Sequence, residues 1–381
     1  VSALRQSAWN RQWLNYWLPI ILAGTISDTA FILIGQTPMI RALGMSAAVA
    51  GVALTLRRFG GVLSIIGSLA LAFSPAFWSQ TGGVETPSAA LWIGLILTGI
   101  VAGVLALQRK PMAGLAAAML IFVGIFWLSA GTGRSLRLTT LFSAWLLYLL
   151  IDAVMLSHPR PGVQPQHLKT QHTGGMLLLF GIGVINDPLL TLMALAIALT
   201  WSTAQTRLPR WYWAVFIALA VIGLRGIIVQ YANSGWWLYP AAQAEAQGLK
   251  VPFLLADGWR EASRWIDMIG LISNQFTISG VVLGIIGLSR LARWYPPVGV
   301  LTLMLYAGYA LFGLVYFGGD RTVLLLPLLM IQIIWMTYAV FALSQWLQKS
   351  LAATGGIVRW AAPAAFALLP ALLLWQILQS V

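Results

Sequence analysis

Of the 381 residues, 60% are apolar and 8% charged, against roughly 45–50% and about 25% in soluble domains, which excludes a water-soluble globule. Lys and Arg number 22 and Asp and Glu 9, a net charge of +13, yet the cations are scattered between long apolar runs, which points away from nucleic acid and toward membrane topology signals. The absence of Cys excludes disulfides, thiolate metal sites and cysteine nucleophiles.

A bilayer core of about 30 Å takes about 20 apolar residues per helix. Thirteen apolar runs follow one another at residues 17–36, 42–56, 59–77, 88–107, 111–130, 138–156, 175–186, 188–203, 211–229, 269–289, 298–317, 322–342 and 361–379. The chain therefore reads as one all-α domain over residues 1–381, a polytopic integral membrane protein with about thirteen transmembrane helices. Many of its 19 Trp sit at run ends, where interfacial anchors belong. Residues 175–203 read either as one long helix or as a hairpin of two short helices turning at Asn186, Asp187 and Pro188. The positive-inside rule selects the hairpin. With it, 14 cations, Arg5 and Arg11 among them, share one side, seven take the other, and Arg225 lies within a span. The cation-rich side is assigned to the cytoplasm, which places the N-terminus inside the cell membrane and the C-terminus outside. The first apolar run leads on without a small-residue cleavage site, so no cleaved signal is expected.

Two connections are long. Residues 157–174 are polar and Pro-containing, hold His158, His167 and His172, and read as a flexible cytoplasmic linker. With every His in that loop, haem ligation inside the bilayer is excluded. Residues 230–265 carry Trp236, Trp237, Tyr239, Trp259 and Trp265 among Asp257, Arg260, Glu261 and Arg264. They read as one or two helices lying on the outer membrane surface. No internal repeat and no Gly-rich nucleotide loop is visible.

Once cations alone fix the orientation, eight of the nine acids fall at or near the outer face, and Asp152 is the exception. Asp28 sits inside the apolar stretch PIILAGTISDTAFILIGQTP, where an ionisable group costs about 2.5–3.5 kcal/mol at a helix centre. It reads as a carboxylate facing a cavity, or as a helix-terminal cap. Glu85 lies just before Pro87, where a carboxylate also caps the next helix. Asp187 reads as a turn cap. Asp320 and Arg321 form a charged outer turn; an Arg there suits a lipid phosphate, whose oxygens its planar fork grips bidentately, or the pair satisfies itself. Arg225 needs a partner or a route to water, and Asp28 or an outer acid is the natural candidate.

Three stretches resemble the GT-C glycosyltransferases, within them the protein O-mannosyltransferase-like branch. Ala72-Phe73-Ser74-Pro75-Ala76-Phe77-Trp78-Ser79-Gln80 with Glu85 is similar to a family segment with a Ser-Pro-x-x-Trp run and a following Glu. Gly181-Ile182-Gly183-Val184-Ile185-Asn186-Asp187-Pro188 resembles a Gly-rich helix entering an outer turn. Phe317-Gly318-Gly319-Asp320-Arg321-Thr322-Val323-Leu324-Leu325-Leu326-Pro327 resembles the late Asp/Arg-to-Pro motif. By that resemblance Ser27-Asp28-Thr29-Ala30-Phe31 matches the catalytic-acid region, although Phe31 stands where a second acid is expected and Gly35-Gln36-Thr37-Pro38 where a His-Pro run is usual.

The resemblance implies a membrane enzyme that moves a sugar from a polyprenyl-phosphate carrier to an acceptor at the outer face. Asp28 is then the general base, Arg321 with Asp320 and Arg225 meets the carrier phosphate, and Glu85, Trp236 and Trp237 orient acceptor or sugar. The expected partners are a lipid-linked sugar donor and membrane lipids. No cofactor is assigned, no metal ligand is named, and a divalent metal is left open. The thinness of polar residues supports the other class of function, a catalytically silent GT-C-like or unrelated polytopic subunit packing into a larger membrane complex.

Overall fold

The computed structural model describes residues 2–82, 136–158, 164–165, 167–168, 170–204, 208–229, 253–254, 258–350 and 358–380. Helices dominate: α1 (Ser2–Leu33), α2 (Met39–Leu56), α3 (Gly61–Ala72), the single turn α4 (Pro75–Trp78), α5 (Leu136–Ser157), α6 (Thr170–Asn186), α7 (Ala194–Thr203), α8 (Arg210–Ile227), α9 (Ala262–Trp294), α10 (Pro296–Val315), the single turn α11 (Arg321–Leu324), α12 (Leu326–Ser350) and α13 (Ala361–Ser380). A two-residue antiparallel pairing of β1 (Phe253–Leu254) with β2 (Tyr316–Phe317) is the only sheet among the described residues. Among the described residues, eight helices are long and apolar enough to cross a membrane. The chain is a multi-pass membrane protein.

Of the thirteen runs expected from the sequence, 88–107 and 111–130 lie outside the described residues. The other eleven coincide with helices, but Gly61–Ala72, His172–Asn186 and Pro188–Thr203 are shorter than a full span. The run at 59–77 is cut because Phe73 leaves helical geometry and Ser74 is extended (φ −65°, ψ 143°), as a residue before Pro prefers. Pro75 then opens α4. Buried side chains concentrate on α2, α5 and α12, which form the middle of the bundle, while α8 lies at the periphery.

The helices alternate between two ends. One, the Asp28 end, gathers the end of α1, the start of α2, α4, the start of α5, the end of α10, α11 and the start of α12. The other, the Arg58 end, gathers the end of α2, the end of α5, the start of α6 and the α9–α10 turn. Arg41, Arg137, Arg225, Arg260, Arg264 and Arg321 fall at the first; Arg57, Arg58, Arg210, Arg290, Arg293 and Lys349 fall at the second.

Residues 170–203 form the expected hairpin. Asp187 is extended (φ −148°, ψ 112°) and caps a 3₁₀ turn, Pro188–Met193, by accepting from the Leu189 N–H at 3.0 Å. Phe216 of α8 touches Phe180 on one leg and Trp201 on the other, with ring centroids 5.4 and 5.3 Å away, which a straight helix could not allow. The first leg is longer than the sequence reading, because α6 begins at Thr170 rather than 175. His172 therefore stands on a helix and not in a linker.

α9 contains a break that no Pro announces. Phe276 (φ −132°, ψ 17°) and Thr277 (φ 61°, ψ 173°) leave helical geometry and divide it into two arms. The second arm packs on α12 through Gly280, Gly284 and Gly287. A Cβ on Gly284 would lie 2.0 Å from Gln332 Nε2, and one on Gly287 would lie 1.8 Å from the Trp335 carbonyl oxygen. Small residues allow this backbone approach, and Gln332 Nε2 donates to the Gly280 carbonyl at 2.9 Å.

Candidate functional site

Asp28 lies on α1, one turn before its end, and is half-buried. Ser46 of α2 donates its hydroxyl to Asp28 Oδ1 at 3.3 Å. Three residues on, Phe31 is fully buried, stacks on Phe77 at 5.8 Å and meets Trp78 at a tilt, 5.7 Å away. This stack joins the Asp28 stretch to the Ser-Pro-x-x-Trp stretch, and α4 in turn packs on α11, the turn that begins with Arg321. Three sequence stretches separated by up to about 290 residues thus meet at one end of the bundle.

Around them, charged groups are held by neutral partners. Arg137, at the start of α5, donates from Nε to the Gln80 carbonyl at 2.8 Å and from Nη2 to the Gly82 carbonyl at 3.2 Å. The Gly82 N–H, at a positive φ of 76° that suits Gly, donates to Thr37 Oγ1 at 3.1 Å. Arg41 is 3% exposed and lies within electrostatic reach of Arg137. Arg264, also buried, donates to the Leu314 carbonyl at 3.0 Å and the Tyr316 carbonyl at 2.6 Å, satisfying acceptors left open at the end of α10. Tyr316 donates its hydroxyl to Asp320 Oδ1 at 2.5 Å. Asp320 is thus tied to an aromatic ring rather than to the neighbouring Arg321.

Asp187 is fully buried. Thr139 of α5 donates to its Oδ2 at 3.1 Å, and Asn186 Nδ2 donates to Thr139 Oγ1 at 2.9 Å. The carboxylate is consumed by the hairpin turn it stabilises. Arg225 sits in the last turn of α8, exposed, on a helix packed against α6 and the 3₁₀ turn. A cation is favoured there by the helix dipole and reaches the bundle end without a buried partner. Glu85, Trp236 and Trp237 lie outside the described residues.

Grooves open on the surface of the described residues, two of them along helices. One, of about 360 Å³, runs along α1 past Thr25, Thr29 and Leu33; the other, of about 400 Å³, lies between α6 and α8. Neither is lined by Asp28 or Arg321. Among the described residues no group of three or more His, Asp or Glu is placed to hold a metal ion.

The Arg58 end is built differently. Arg58 Nη2 pairs with Asp152 Oδ1 at 2.6 Å, His172 Nε2 reaches Asp152 Oδ2 at 3.3 Å, and the Arg58 guanidinium lies 5.6 Å over the Tyr148 ring. Sequence reasoning missed this cluster, and it missed Arg137 and Arg264. Arg137 and Arg264 had a signal: both are cations on the side the positive-inside rule disfavours. Comparison with protein-family models, with curated proteins and with solved structures finds no match to this chain.

Proposed function

We propose that the chain is a membrane glycosyltransferase, GT-C-like in its helical arrangement, moving a sugar from a polyprenyl-phosphate carrier to an acceptor at the outer face of the cell membrane. One observation carries the reading. The Asp28 stretch, the Ser74-Pro75-Ala76-Phe77-Trp78 stretch and the Asp320-Arg321 turn, far apart in sequence, are linked through Phe31, Phe77 and Trp78 at the same end of the bundle. In this reading Asp28 takes the acceptor proton while Ser46 orients its carboxylate. Arg321 holds the departing phosphate, and its neighbour Asp320, engaged by Tyr316, leaves the guanidinium to the ligand. The thirteen crossings, the cytoplasmic N-terminus and the outward-facing Asp28 end belong to the same proposal. A Cys placed at Gly319 on this Cys-free chain should react with an impermeant maleimide on intact cells.

A second reading has its own support. The sparseness of polar groups, with 8% of residues charged, suits a catalytically silent subunit of a larger membrane complex. Sugar transfer from a polyprenyl-phosphate donor by the purified protein separates the two. A general base supplies about 10²- to 10⁴-fold of the rate, so Asp28→Asn should remove most turnover with folding intact. Arg321→Lys keeps the charge but loses the bidentate fork and should weaken donor binding. Wild-type turnover by Asp28→Asn rejects the mechanism.

A further inference from the structure

We propose that the furrow between α6 and α8 binds one acyl chain of an anionic phospholipid from the leaflet at the Arg58 end, with the headgroup at Arg210 and Trp211. The site follows from where α6 carries glycine. Gly174 and Gly181 are seven residues apart, close to two turns, and so share the α6 face that meets Tyr212 and Leu219 of α8. With no side chain at either position, a furrow of about 400 Å³ stays open along Leu178, Ile185 and Val215. None of the described residues that line it is charged.

The walls converge away from the Arg58 end. A Cβ on Gly174, near the start of α6, would meet its first neighbour, the Tyr212 hydroxyl, at 3.5 Å, and one on Gly181 would meet Leu219 at 3.2 Å. Toward the end of α8 the hairpin tip leaves no space: a Cβ on Gly226 would lie 2.7 Å from Pro188, and one on Gly223 1.8 Å from Thr191 Oγ1. The furrow is therefore a wedge, wide at the Arg58 end and closed at the other. Ile185 lies 11 residues beyond Gly174 on the same helix, a rise of about 16 Å, or about half of a 30 Å hydrocarbon core. That is the depth of one leaflet.

Its dimensions and its rim select the occupant. About 400 Å³ spread over about 16 Å is a cross-section of about 25 Å². A helix about 10–12 Å across cannot enter it, whereas a single extended hydrocarbon chain can. At the rim, Arg210 and Trp211 are the first two residues of α8 and both are exposed, a cation beside an aromatic that settles at headgroup depth. Arg57, Arg58, Arg290 and Arg293 stand at the same end, so the leaflet there meets a positive rim and an anionic headgroup is preferred. The furrow contains neither Asp28 nor Arg321, and the lipid site does not rest on the transferase reading.

Native mass spectrometry of the delipidated full chain in detergent, titrated with dioleoyl phosphatidylglycerol or dioleoyl phosphatidylcholine, counts bound lipids and associated copies together. The wild type should hold one lipid more firmly than any further ones and prefer the anionic headgroup about fivefold, the effect of one Arg near the membrane surface. Gly174→Leu, whose Cβ has ordinary clearance, fills the furrow and should abolish that binding step for both lipids. Val215→Trp fills it from the exposed side of the other wall and should do the same, so a folding defect in one variant does not decide the result. Arg210→Gln should keep the step and lose the headgroup preference, while Arg290→Gln, a cation at the same end that does not line the furrow, should keep both. Equal loss of preference in the two Arg variants would reduce the effect to diffuse charge and overturn the site. It is overturned as well if both filled variants still hold the lipid, or if the wild type forms a two-copy species that both of them dissolve, which would make the furrow a subunit contact.

Discussion

The two ends of the bundle solve the same problem, charge at the rim of an apolar body, by opposite means. At the Arg58 end, opposite charges meet: Arg58, Asp152 and His172 bind the turn after α2 to α5 and α6. At the Asp28 end, where five of the described acids and six of the described arginines gather, no ion pair forms between described residues. Arg137 and Arg264 instead take main-chain carbonyls, and Asp28, Asp187 and Asp320 take hydroxyls and an amide. A salt bridge cancels its own field; a guanidinium bound to carbonyls keeps its formal charge. The first end is built to hold, and the second keeps its charges in place for something else.

That contrast can be broken by experiment. The largest effect is expected at Arg264, where Arg264→Met leaves two carbonyls of a buried helix end without a donor. At about 1.5–3 kcal/mol for each bond to a charged group, partly offset by relaxation, the loss should be about 3 kcal/mol in thermal unfolding in detergent. The loss should be nearly the same at low and high salt, and a steep salt dependence would show that Arg264 works through charge pairing after all. Next comes the coupling of Arg58 to Asp152, measured by the cycle Arg58→Gln, Asp152→Asn and both. With side chains 20% and 24% exposed, it should lie between the surface and buried limits, at about 1–2 kcal/mol, and shrink as salt rises. His172→Gln should cost about 0.5–1 kcal/mol, because the 3.3 Å contact to Asp152 is long for a hydrogen bond. Ser46→Ala is expected to be smallest for stability, about 0.5 kcal/mol. In the transferase assay it should nonetheless lower turnover if Ser46 orients Asp28.

Much of the helix map is legible in the sequence because a membrane helix is specified by composition over a window, and Asn186-Asp187-Pro188 supplies both a cap and a stop. The break in α9 is not legible. Asn274-Gln275-Phe276-Thr277-Ile278 contains neither Gly nor Pro, and nothing in that run departs from an ordinary apolar helix. The start of α9 was also hidden, since residues 258–265 carry the charges and aromatics of a surface loop. The candidate site was legible in outline only: Asp28 and Arg321 stand out as charges in apolar surroundings, whereas the Phe31–Phe77–Trp78 link between them looks like any other aromatic core. The cluster at Asp152 was invisible for another reason. Its members lie 94 and 20 residues apart, and His172 reads as part of a linker until α6 is seen to begin at Thr170.

The buried carboxyl group at the tip of the hairpin sets an order of assembly. Both legs of residues 170–203 start and finish at the Arg58 end, so Asp187 must travel to the opposite end with the hairpin and cannot stay behind in water. Its hydroxyl partner, Thr139, belongs to α5, and α8 closes over the turn only afterwards, with Gly226 against Pro188 and Gly223 against Thr191. A hairpin that inserted before α5 was in place would carry an acid with only its own turn to bond to. Synthesis in chain order presents α5 first, the hairpin second and α8 third, and moving the hairpin ahead of α5 by circular permutation should trap the chain at the stage where Asp187 has no threonine to meet.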